Sequence, residues 1–198
     1  MNERGFSLLE TLVALAVLVA AMLGPITLAT QSVRAISRSQ NQITAVFLAQ
    51  DAIEYIRAKK VTNSFQERTW LADLGGPSGS SLCFHTQGCL IDSLNNTVTL
   101  SPICNEAVPP QSCFVGRNTL TGAYGHESGP PSVPTIFMRR VFMERICADG
   151  PPPCGIDGLR EVSVRVEVLW KDRSLDRSIE VETAFFCFER TFLSECNT

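Results

Sequence analysis

The stretch FSLLETLVALAVLVAAMLGPITLAT, residues 6–30, holds 25 residues and one charge, Glu10. As a helix rising about 1.5 Å per residue it reaches roughly 37 Å, enough to cross a hydrocarbon core of about 30 Å. Thr11 to Thr30 carries no charge at all. Arg4, just before the run, favours a cytoplasmic N-terminus, which would leave the remainder of the chain on the other side of a membrane.

The rest of the composition agrees with that placement. The chain has 198 residues, 17 basic and 20 acidic, for a net charge of −3. Beyond Thr30 the balance is 16 basic to 18 acidic. A nucleic-acid coat would show a basic excess, so this balance argues against one. Eight cysteines, Cys83, Cys89, Cys104, Cys113, Cys147, Cys154, Cys187 and Cys196, are spread through the region after residue 80. None is spaced as CxxC, and there are only two histidines, so the pattern argues for disulfides in an oxidising compartment and against a zinc module.

Three readings of the first thirty residues compete. In a secretory signal peptide, Thr27-Leu28-Ala29 would serve as the small-residue cleavage site. The apolar run, however, exceeds the usual length of about 7–15 residues and contains a carboxylate. A plain signal anchor explains the length but gives no reason for Glu10, since an acid at a helix centre costs about 2.5–3.5 kcal/mol on insertion scales. The third reading uses Glu10. Arg4-Gly5-Phe6-Ser7-Leu8-Leu9-Glu10-Thr11-Leu12 resembles the processing signal of type IV pilins and pseudopilins, in which a short charged leader ends in Gly. The resemblance implies that a prepilin peptidase cuts between Gly5 and Phe6 and methylates the new amine of Phe6. Glu10 becomes the fifth residue of the mature chain. It further implies that Glu10 of an incoming subunit neutralises that amine on a neighbour during filament assembly, because a carboxylate in lipid needs a partner.

Gly24-Pro25 interrupts the run. Proline removes a helix N–H and clashes with the preceding turn, so a kink or local unwinding is expected there. Residues 31–60 keep a helical rhythm while becoming polar. Val33, Ile36, Ile43, Val46, Phe47, Ile53 and Ile56 form one stripe, expected to pack on a sheet. Glu54 and Arg57 read as a solvated i,i+3 pair. The segment Phe47 to Arg57 is similar to the helix end of minor pilins.

Residues 61–134 read as an irregular, loop-rich segment, with breakers at Gly75 to Ser81, Pro109-Pro110 and Gly129-Pro130-Pro131. From Thr135 the pattern turns to strands. Thr135 to Cys147 is β-rich. Val162, Val164, Val166, Val168 and Trp170 alternate with mostly polar residues, and so do Ile179, Val181, Thr183 and Phe185. These predict a strand followed by an antiparallel hairpin whose polar turn spans Lys171 to Arg177. The expected fold is α+β: a long N-terminal hydrophobic helix packed on a small antiparallel sheet and stapled by disulfides. Its expected organisation is a leader at 1–5 and a helix at 6–60 (membrane segment 6–30, amphipathic stalk 31–60). The irregular segment at 61–134 follows, then sheet and disulfide tail at 135–198.

Nearest-neighbour pairing would join Cys83 to Cys89, Cys104 to Cys113, Cys147 to Cys154 and Cys187 to Cys196. Eight cysteines allow on the order of a hundred connectivities, so spacing alone leaves the first four interchangeable. The last two pairs are favoured because strand ends fix their loops. The 187–196 pair also resembles the C-terminal disulfide loop of many pilins.

No catalytic set, cofactor site or metal site emerges. His85 and His126 read as lone surface histidines, and Asp172 and Asp176 are a poor match to a calcium loop. Arg139, Arg140 and Arg145 read as a solvated strand face rather than a nucleic-acid site. The resemblance implies a minor pilin, or a pseudopilin of type II secretion, anchored in the bacterial inner membrane with its head in the periplasm before it joins a filament. Its partners would be other pilins or pseudopilins, prepilin peptidase, inner-membrane lipid and an assembly platform, with no role for nucleic acid. The alternative is a membrane-anchored periplasmic binding module that never polymerises.

Overall fold

A computed structural model describes residues 7–74, 82–104, 110–126, 131–146 and 161–187. The chain divides into two units, Met1–Ile43 and Thr44–Thr198. Helix α1, Leu8–Phe65, supplies the described part of the first unit and, from Thr44 onward, one layer of the second. It runs a turn beyond the residue-60 limit expected from sequence, and its end is held by Asn63. The Nδ2 of this buried residue donates to the Ala72 and Trp70 carbonyls, and its own carbonyl accepts from the Arg68 N–H. That fold-back places Trp70, Leu71 and Leu74 in the core.

The second layer is an antiparallel sheet, seven-stranded among the described residues. Its strands are β1 Cys89–Asp92, β2 Thr97–Leu100, β3 Phe114–Asn118, β4 Tyr124–Gly125, β5 Ser132–Ile146, β6 Glu161–Asp172 and β7 Leu175–Phe186. Strand β5 is the organiser. One edge pairs with β6 from Phe137 to Ile146; the other pairs with β3 and then, at Val141, with β1. The valine alternation places Val162, Val164, Val166, Val168 and Trp170 of β6 on the buried face, and the Trp170 ring lies 6.0 Å from that of Phe137. The β6–β7 connection is tighter than the expected Lys171–Arg177 turn. Asp172 already pairs with Leu175, leaving two residues at the corner, with Arg173 at a φ of 62°.

Among the described residues, the segment expected to be irregular holds the end of α1, strands β1 to β4, a single helical turn at Gln111–Cys113 and the start of β5. Of the pairings left open for the first four cysteines, the structure has the nearest-neighbour ones, Cys83–Cys89 and Cys104–Cys113. Closing loops this short removes about 2–3 kcal/mol of unfolded-chain entropy each. The loop of the first bridge returns at Gly88, where φ is +72° and a Cβ would meet the Val141 carbonyl at 2.6 Å, so only glycine fits. Cys187 is also disulfide-bonded; Cys147, Cys154 and Cys196 lie outside the described residues.

Three sequence expectations about side-chain placement are corrected. The helix face that meets the sheet is Ala45, Leu48, Ala49, Ala52, Ile53 and Ile56, whereas Val46 and Phe47 of the expected stripe are 37 % and 65 % exposed. Three small alanines share this face with Leu48, Ile53 and Ile56, and Val46 and Phe47 lie off it. Arg139 is the second correction. It lies wholly buried on the inner face of β5, not on a solvated one. Its Nη1 donates to the Leu48 carbonyl (2.8 Å) and to Oδ2 of Asp51 (2.7 Å), while Nη2 donates to the Ile91 carbonyl (2.6 Å). Ser93 Oγ donates to the same Asp51 oxygen at 2.9 Å. One guanidinium thus joins α1, β5 and β1. Alternation sends Arg140 to the opposite face, where it pairs with Glu167 at 2.6 Å. There Phe142 is flanked by Arg140 and Arg165, whose guanidinium carbons lie 5.4 and 4.3 Å from its ring centre. Arg145 stacks on Phe84 at 4.9 Å. The arginine cluster is therefore divided between two faces, with Arg139 and Arg140 each paired to an acid.

His126 is corrected too: both its ring nitrogens are shut off from solvent. Its backbone N–H donates to Oδ2 of Asp92, a buried carboxylate that also accepts from the Leu94 and Asn95 amides. Gly125 makes room, since a Cβ there would sit 2.8 Å from Asp92 Oδ1. Burial first, and then the Arg139 charge, lower the His126 pKa from 6.5 to about 4, outweighing the pull of Asp92.

Two predictions follow from these buried groups. Asp51→Ala leaves Arg139 buried without its counter-charge and should cost about 3 kcal/mol. Glu54→Ala, which breaks the exposed pair with Arg57, should cost under about 1 kcal/mol. Denaturant unfolding of the detergent-solubilised chain, followed by tryptophan fluorescence, measures both. For His126, the unfolded chain takes up its proton below about pH 6.5 and the folded one only near pH 4. Between these values the unfolded state binds more protons, so stability is lost as pH falls from about 6.5 to about 4, by about 3 kcal/mol over the window, and is flat with respect to this group above it. His126→Phe should remove that part of the slope in the same assay.

Candidate assembly segment at the chain N-terminus

The first turn of α1 is set by Ser7. Its Oγ accepts from the Leu9 N–H at 3.2 Å, and its carbonyl accepts from the amides of Glu10 and Thr11 at 3.0 and 3.3 Å. Ser7 is therefore the N-cap residue, and Glu10 stands three residues further on, in the first turn. The exposed amides of a helix N-terminus favour an anion there, by about 0.3–1 kcal/mol at an exposed position. The capping role was missed in the sequence reading. The sign of it is the spacing Ser7-Leu8-Leu9-Glu10 just ahead of an apolar run, a hydroxyl followed three residues later by a glutamate.

Beyond Glu10 the helix presents apolar side chains on every side. Leu8, Leu12, Val13, Leu15, Val17, Met22 and Ile26 are all more than half exposed. The helix is long and apolar enough to cross a membrane, with a mean hydropathy of 2.5 in its most apolar window and none of that window buried. An all-round apolar helix that buries nothing within its own unit needs lipid or other helices as its surroundings. The helix runs through Gly24 and Pro25, the expected kink site, without interruption, and the Gly24 carbonyl accepts from Thr27 Oγ1 at 2.8 Å. No atom stands within 4 Å of where a Gly24 Cβ would lie. Gly5 and Phe6, the expected processing residues, lie outside the described residues.

Within the Thr44–Thr198 unit, an open and largely apolar cavity of about 480 Å³ lies beside Asp51, walled by Phe47, Leu94 and Tyr124 among others. Among the described residues no three or more histidine, cysteine or acidic side chains gather at one point. His85 is exposed, with Nδ1 accepting from the Gln87 amide. Asp176 lies 4.0 Å from Lys171 across the β6–β7 turn.

Residues 1–24 match the prokaryotic N-terminal methylation motif. This motif is the signature of type IV pilins and pseudopilins, and it supports a pilin-like prepilin that a peptidase processes. Comparison with curated proteins and with solved structures gives no match. The motif covers the cap residue, Glu10 and most of the apolar run, which is also where the structure shows an apolar helix beginning at a capped first turn.

Replacing the cap tests this local account. Ser7→Ala should weaken the first turn by about 1 kcal/mol, which speeds exchange of the Leu9 amide roughly five-fold. Hydrogen exchange followed by NMR in micelles reads this directly.

Proposed function

We propose that this chain is a minor pilin or pseudopilin, a structural subunit of a type IV pilus or of a type II secretion pseudopilus, and not an enzyme. The observation that carries this reading is the register of the first segment. Gly5 precedes Phe6, Glu10 falls fifth from Phe6, and an uncharged helical run follows at once. The chain is held in the inner membrane by α1 with its head in the periplasm. Prepilin peptidase cuts after Gly5 and the Phe6 amine is methylated. Glu10 then pairs with the amine of a neighbouring subunit as the filament grows. A carboxylate that gains an ammonium partner in a low-dielectric setting recovers much of its desolvation cost, which is what would make such a pairing decisive in lipid.

The disulfides support a head that matures in an oxidising compartment. The minor rather than major assignment rests on the resemblance of Phe47 to Arg57 to the helix end of minor pilins. Its assembly partners would be other pilins or pseudopilins and the membrane platform that builds the filament.

The experiment is co-expression of the full chain with a prepilin peptidase, followed by intact mass. The expected product lacks residues 1–5 and carries one added methyl group. A product beginning at residue 30, or an uncut chain, would overturn the proposal. Glu10→Ala should be cut normally yet fail to enter filaments; entry at the wild-type level would instead favour a membrane-anchored module that does not polymerise.

A further inference from the structure

The cavity beside Asp51 lies wholly within the Thr44–Thr198 unit. Its volume of about 480 Å³ falls in the range of about 300–1,000 Å³ that small ligands occupy. Phe47 and Leu48 wall it from α1, Leu94 from the β1–β2 turn and Tyr124 from β4. Among the described residues Asp51 is the only charged one that lines it. The Asp51 side chain is 41 % exposed. Both of its donors, Arg139 Nη1 and Ser93 Oγ, go to Oδ2, which leaves Oδ1 an acceptor without a donor among the described residues. The charge behind the wall is lopsided as well. Asp92 is a buried carboxylate whose Oδ1 accepts from the Leu94 amide at 3.1 Å. Two carboxylates thus stand at this corner against one guanidinium, that of Arg139, and His126 beside Asp92 is uncharged at neutral pH.

We propose that this cavity binds an alkylammonium group, with its ammonium head on Oδ1 of Asp51 and its alkyl body against Phe47, Leu94 and Tyr124. A carboxylate oxygen with an open lone pair accepts from a charged N–H more strongly than from a neutral donor. The Phe47 and Tyr124 rings in the same walls attract a cation held near their faces. The alkyl body removes apolar wall from water, a contact that a hydrated inorganic cation does not make. A carboxylic acid would meet Asp51 as a like charge, and a neutral alcohol would forgo the charge-assisted bond. An organic cation satisfies the acid and the apolar walls together. Its source is either a free amine or a lysine side chain presented by another chain, since both offer the same head and stem. The proposal does not depend on filament membership.

The test uses the full chain in detergent micelles, with the Leu94 and Ala123 methyl groups followed by NMR as n-butylammonium or n-butanol is added. Butylammonium should give saturable shifts at both residues, and butanol should bind about tenfold more weakly. Phe47 is exposed, so Phe47→Leu should keep the fold while weakening butylammonium about two- to fivefold through loss of the ring. Asp51→Asn should weaken it about tenfold or more; if tryptophan fluorescence shows that this variant does not fold, butanol and Phe47→Leu decide the matter. No saturable shift, equal affinity for butanol, or wild-type affinity in Phe47→Leu would overturn the proposal. A blocked Gly-Lys-Gly peptide separates the two sources. Tighter binding than butylammonium assigns the site to the lysine of a partner chain, weaker binding assigns it to a free amine, and both support an alkylammonium site.

Discussion

A single guanidinium with three acceptors from two elements fixes how helix and sheet meet in the Thr44–Thr198 unit. Arg139 reaches from β5 to the Leu48 carbonyl and the Asp51 carboxylate on α1, and to the Ile91 carbonyl on β1. A buried cation costs least when it is paired and hydrogen-bonded; both terminal nitrogens of Arg139 are, although its Nε is buried without a partner among the described residues, so the two ends of the guanidinium hold one arrangement. Sliding the helix by a turn would remove Leu48 and Asp51 from reach together, and shifting β1 would remove Ile91. The apolar core around it, which includes Ala45, Ala49, Ala52 and the valines of β6, is less selective. It supplies the driving force, and the polar clamp supplies the register.

The alanine face and the clamp also explain what the sequence revealed and what it hid. The β6–β7 hairpin was legible because both strands alternate cleanly over eight or more residues and one face meets the core. Strand β1 was not, because all four of its residues, Cys89 to Asp92, are buried and no alternation survives. Strand β4 is only two residues long, pairing with β3 at Gly116 and Arg117, too short for any alternation to show. Arg139 misled for a related reason. Within Phe137 to Met143 it occupies an inward position by strict alternation, yet an arginine in that slot is ordinarily assigned to solvent, and its partners lie 48 to 91 residues away.

The N-terminal segment is the opposite case, with nearly everything local. Its helix, its cap and the position of its acid can all be read from Ser7 to Thr30, because spacing along one helix determines them. The helical stripe failed only where tertiary contact took over. Val46 and Phe47 satisfy the periodicity as well as Leu48 and Ile53 do. What separates them is which side of the helix meets the core, which Leu48 and Ile53 share with Ala45, Ala49 and Ala52 and Val46 and Phe47 do not.

The placement of Glu10 then has a physical logic on both sides of processing. In the uncut chain it stands in the first turn of α1, where the unsatisfied amides and the helix dipole lower the cost of an anion that would be prohibitive fifteen residues further along. Cleavage after Gly5 would put a new positive charge on Phe6, at the end of the helix where the dipole already opposes a cation. A carboxylate one turn on is the nearest group that offsets that charge. If the subunit is to present its amine or its acid to a neighbour, each must be left short of a full complement by its own chain. A lone acid followed by 23 residues without another charge creates that condition, because no cation of the same helix comes within reach before Arg34.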